Sequence, residues 1–87
     1  MQVRILDRNW LVEFTNSLPE DVDGECDPPC RKKKKIKIRP GLSSDHLLRV
    51  AIHEMLHAAD FWKSEEWVDQ TSADLAVVLS RLGYKKG

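Results

Sequence analysis

The chain has 87 residues, 14 of them basic and 14 acidic, so its formal net charge is zero. A single domain over residues 1–87 with a modest core fits that length, whereas a deep enclosed cavity does not, and any active site is expected to be a shallow groove. Neutrality excludes a global field that would draw the protein to nucleic acid or to a membrane surface, although basic residues gather between Arg31 and Arg39 and acidic ones between Pro19 and Asp27.

Met1 leads into alternating polar and apolar residues instead of a signal-peptide pattern, and no apolar stretch approaches the length of a membrane span. A cytoplasmic location is the expectation. Val3-Arg4-Ile5-Leu6 and Trp10-Leu11-Val12-Glu13-Phe14 are β-prone runs that Asp7-Arg8-Asn9 separates as a hairpin would. Residues 16–29 collect Pro, Gly, Asp and Ser and read as a loop. Within and just beyond it lie the only cysteines, Cys26 and Cys30, separated by Asp27-Pro28-Pro29. Two thiolates do not complete a tetrahedral zinc site, so they read as free thiols shaping that loop.

Lys35-Ile36-Lys37-Ile38-Arg39 alternates strictly and reads as a half-buried strand that Pro40-Gly41 ends. After the cap candidates Ser43, Ser44 and Asp45, apolar residues recur at helical spacing and predict a helix over about residues 44–61. Ser64 then caps a second helix over about residues 65–82, with Glu65 and Glu66 favourably placed in its first turn. The expected fold is therefore α+β: a sheet of about three strands, made of the hairpin plus strand 35–39, packed on two antiparallel helices.

The first helix carries His53-Glu54-Met55-Leu56-His57. Residues four apart on a helix differ by only about 40° around the axis and roughly 6 Å along it, so both imidazoles can reach one metal ion. Glu54 beside them can take a proton from a metal-activated water. The metal expected is zinc, which in a catalytic site needs a third protein ligand and an open position. No histidine follows His57, which points to a carboxylate on the second helix. With the turn centred on Lys63, Asp69 falls at the height of His57 and ranks first, with Glu65 and Glu66 as alternatives and Asp60 last. His46, seven residues before His53, reads as an exposed first-turn histidine.

With these elements in place, the stretch from Lys35 to Tyr84 resembles the zincin zinc metallopeptidases. It looks most like the minimal SprT-like or ImmA/IrrE-like kind found among small phage-encoded proteins, which would place it in a bacterial host cytoplasm. The resemblance implies that His53 and His57 bind zinc and that Glu54 is the general base. It also implies that a sheet-edge strand, assigned here to Ile36, Lys37 and Ile38, aligns an extended peptide. The function expected is hydrolysis of a peptide or protein substrate by a monomer or weak oligomer. The alternative is a non-catalytic module, either holding zinc or using the basic segment Arg31 to Arg39 to contact nucleic acid or a protein partner.

Overall fold

The computed structural model describes residues 1–84. Its elements in chain order are β1 (Gln2–Ile5), β2 (Arg8–Phe14), β3 (Gly24–Cys26), β4 (Lys34–Ile38), α1 (Ser44–Ala59) and α2 (Glu65–Arg81). The protein is α+β, as its patterning predicts, but the sheet has four strands in the order β1-β2-β4-β3. The added strand, β3, lies within the stretch expected to be a loop. It is three residues long, and although Val22, Gly24 and Cys26 alternate with Asp23, Glu25 and Asp27, the glycine, the flanking prolines and the lack of bulky apolar residues make the stretch read as loop.

β1 and β2 form the expected antiparallel hairpin, but its turn is Leu6-Asp7 instead of Asp7-Arg8-Asn9: Arg8 and Asn9 already belong to β2, paired with Ile5 and Arg4. Both turn residues adopt positive φ, 47° and 63°, the geometry that matches the right-handed twist of the flanking strands. β4 runs parallel to β2, with Val12 opposite Ile36 and Phe14 opposite Ile38. For that to happen the chain must travel back along the sheet between the two strands, and β3 makes the return trip, antiparallel to β4. Arg39 secures the connection: its guanidinium donates to the carbonyls of Pro19 at 2.6 Å and Val22 at 2.8 Å, and to Oδ1 of Asp23 at 3.2 Å.

One expectation is overturned by this order. β4 is an interior strand, bonded to β2 on one side and β3 on the other, with Ile36 and Ile38 buried. The backbone of Ile36, Lys37 and Ile38 therefore cannot receive a peptide by strand addition; the free edge on this side of the sheet belongs to β3.

α1 lies on one face of the sheet. Trp10, Ile36, Ile38 and Ala58 form the buried centre, and Val3, Ile5, Val12, Leu47, Val50 and Ala51 pack around them. The opposite face is open, with cross-strand rows Gln2-Leu11-Lys35 and Glu13-Lys37-Glu25. Ser43 and Ser64 cap the two helices by accepting from the backbone N–H of His46 and Trp67. Among the described residues, α2 packs on α1 and on no strand. Its contact face is built on Val68, Ser72 and Ala76, small residues that let the axes approach, and Ile52 is the buried residue of α1 opposite. Among the described residues, no helix is long and apolar enough to cross a membrane.

Candidate metal centre

His53 and His57 lie one turn apart on α1, and their Nε2 atoms are 3.2 Å apart. Oε1 of Glu65, at the start of α2, is 2.9 Å from Nε2 of His53 and 3.4 Å from Nε2 of His57. Its other oxygen is 3.1 Å from His57 Nε2. Ligand atoms bound tetrahedrally at about 2.0–2.1 Å from one ion stand roughly 3.3 Å from each other. The triangle of two imidazole nitrogens and one carboxylate oxygen has that size, so this His-His-Glu group can hold a metal ion.

Asp69, ranked first from the sequence, is not in the triangle. Its Oδ1 lies 3.1 Å from Nδ1 of His53, the ring nitrogen that faces away from the cluster. A proton held on Nδ1 by that carboxylate would leave the Nε2 lone pair directed into the triangle, so Asp69 is placed to orient His53 from outside the group. That Glu65, and not Asp69, lies between the two Nε2 atoms has a simple geometric cause. His57 meets Glu65 and His53 meets Asp69, so the helix hairpin pivots near Phe61, two residues before the centre assumed from the sequence. Asp60 tightens the turn, accepting from the backbone N–H of Trp62 through its side chain and from that of Lys63 through its carbonyl. A two-residue shift of the pivot moves the position facing His57 by about one helical turn.

Glu66, the other alternative, lies about 100° around the helix from Glu65. It borders a surface cleft with Arg49, Asp69, Gln70 and Ala73, away from the histidine pair. His46 is remote as well, with Nε2 3.1 Å from Oδ2 of Asp23.

Glu54 projects beside the two histidines, on the flank of α1 that faces the sheet, and only 6% of it is exposed. Burial, followed by the negative charges of Glu65 and Glu25, pushes its carboxyl from the usual 4.5 up to about 7. Glu65 behaves differently. Burial opposes its ionisation, but hydrogen bonding and charge from His57 and His53 together outweigh that and hold its pKa below the ordinary carboxylate range.

A groove of about 350 Å³ runs over these groups, lined by Gly24, Glu25, Cys26, His53, Glu54, His57, Phe61, Lys63 and Glu65. It is shallow, as the chain length requires. Its β3 wall is the part that sequence reasoning missed, because only the pairing of β3 with β4 carries Gly24 and Cys26 to α1. Burial, then the charges of Glu54 and Asp27, pushes the Cys26 thiol up to about 12, and Sγ donates to the Asp27 carbonyl at 3.4 Å. It is thus a protonated wall of the groove at neutral pH, while Cys30 is exposed and free.

The free edge of β3 can be read from its bonds. Arg39 N–H donates to Asp23 O and Asp27 N–H to Lys35 O, so the odd-numbered residues face β4. Gly24 and Cys26 therefore turn their N–H and C=O groups outward, along the rim of the groove.

No protein-family model, curated protein or solved structure matches this chain.

Proposed function

We propose that the protein is a zinc-dependent peptidase in which His53, His57 and Glu65 hold the ion and Glu54 is the general base. The observation that carries this reading is the convergence of Glu65 on the two Nε2 atoms, with Glu54 buried in the wall of the same groove. Two imidazoles and a carboxylate are a zinc donor set, and three protein ligands leave a position free for water or substrate. Zinc, when bound there, polarises a carbonyl and lowers the pKa of water.

The chain's own residues supply the remaining parts. The outward N–H and C=O groups of Gly24 and Cys26 can pair with an extended peptide, which then lies across the groove in strand-addition fashion. Glu54, whose burial raises its proton affinity, takes a proton from the attacking water and returns it to the leaving amide nitrogen. Asp69 keeps His53 in the tautomer that binds. Phe61 and Lys63 border the groove where substrate side chains would lie.

Elemental analysis of protein purified without chelator should give about one zinc per chain, lost in His53→Ala. Glu54→Gln should retain zinc and abolish cleavage of a peptide library. A wild-type protein that binds zinc and cleaves nothing would leave a zinc-holding module as the better account.

A second reading has one observation in its favour. Lys32, Lys33, Lys34 and Lys35 border a groove of about 450 Å³ with Gln2, Asn9 and Leu11, a cationic surface with amide groups suited to phosphate. Against it, Glu13 lies 3.3 Å from Lys35, and Glu13 and Glu25 flank Lys37 in the same sheet row. DNA binding that persists at physiological salt and is lost on neutralising Lys32 to Lys34 would favour it.

A further inference from the structure

α2 is the least covered element of the fold. Among the described residues, α1 is the one helix or strand packed against it, which encloses one side of the helix. Its outward surface is not polar throughout. Leu75 is 41% exposed, Val78 53% and Leu82 66%, and with Thr71 they fall at intervals of four, three and four residues. That spacing makes one continuous stripe along a helix and is the seam pattern of a helix pair. At about 100° per residue the stripe is centred roughly 130° from Glu65 and Asp69, so whatever covers it leaves the metal groove open.

Asp74 and Arg81 both lie along the same flank of this stripe, each immediately preceding a seam residue. In an antiparallel pair of identical helices, Leu75 meets Val78 of the second copy and Thr71 meets Leu82. That same register sets Asp74 of each chain beside Arg81 of the other, giving two symmetric ion pairs. In a parallel pair Asp74 and Arg81 of one chain would fall on the opposite side of the seam from those of the other and remain unpaired. The charges therefore select a second copy of this chain, and they select its orientation.

We infer that the protein self-associates as a two-fold dimer through antiparallel α2 helices, with Thr71, Leu75, Val78 and Leu82 as the seam and reciprocal Asp74–Arg81 pairs along one side. Gln70 supports the arrangement: its Nε2 donates to Oδ1 of Asp74 at 3.1 Å and holds that carboxylate on the outer face. The metal site plays no part in the argument, so the dimer stands or falls independently of the proposed activity.

Sedimentation velocity and light scattering on the 87-residue chain, from low to high micromolar concentration, test it. Wild type should show a concentration-dependent monomer–dimer equilibrium, and Leu75→Glu should be monomeric throughout with an unchanged circular dichroism spectrum. Because a seam substitution can disturb folding, the exposed charges give a second route. Asp74→Arg and Arg81→Asp alone should each raise the dissociation constant by about tenfold, and together they should restore it. Wild type that is monomeric at every concentration, a dimer indifferent to Leu75→Glu, or a double reversal that fails to restore association would each overturn the inference.

Discussion

Gly24 of β3 and Glu54 of α1 are in direct contact: a Cβ built at position 24 would lie 2.9 Å from Cγ and from Oε2 of Glu54, and 2.8 Å from Cγ1 of Val50. The absence of a side chain here lets the edge strand close over the general-base candidate. Gly24→Ala is therefore expected to force strand and helix apart, destabilising the fold by about 1–3 kcal/mol. Urea denaturation should show a lower midpoint with an unchanged slope, and any peptidase activity should fall because Glu54 is displaced.

The separation between ligand and orienting residue predicts a graded response in metal binding. Asp69→Ala should weaken zinc affinity by about 10–100-fold, the usual effect of removing an outer partner of a ligating histidine. Glu65→Ala should weaken it further, and Glu66→Ala should leave it unchanged. Competition with a chromophoric chelator measures all three; equal losses at positions 65 and 69 would contradict the assignment.

Glu54 also makes the stability of the metal-free protein depend on pH. Its folded pKa, about 7, is above the ordinary 4.5, so the folded state binds this proton more tightly than the unfolded chain does. The contribution is fully present below pH 4.5 and is lost as pH rises through about 7, with a size on the order of 3 kcal/mol. Glu54→Gln should remove this component. Denaturant titrations of metal-free wild type and variant should thus diverge across that window, with the wild type losing stability as pH rises.

The β1–β2 turn offers a stabilising substitution. Leu6 adopts a φ of 47°, a left-handed conformation that costs a β-carbon about 1–2 kcal/mol, and its side chain is 69% exposed. Replacing Leu6 by Asn and Asp7 by Gly, the pair this turn type favours, should raise stability by about 1 kcal/mol. Removal of the ion pair between Asp7 and Arg4, 3.2 Å apart and well exposed, offsets little of that. A thermal melt is the check.

Local signals carried much of the structure. The alternation in Lys35 to Arg39, the apolar spacing of α1 and the serine caps each act within a few residues, so the elements they specify can be read directly. The four-residue step from His53 to His57 likewise puts two imidazoles together wherever the segment is helical. Three things needed the tertiary structure. β3 exists because β4 supplies its hydrogen bonds and Gly24 tolerates contact with α1. The interior position of β4 follows from that pairing and moves the free edge to Gly24 and Cys26. The choice of Glu65 over Asp69 depends on where the helix hairpin turns, and a two-residue difference in a five-residue connection changes which carboxylate meets the histidines. Sequence alone determined which groups one helix presents; only the packing of a second helix and an edge strand against it decided which distant groups complete the cluster, because those contacts depend on the path of the chain between them.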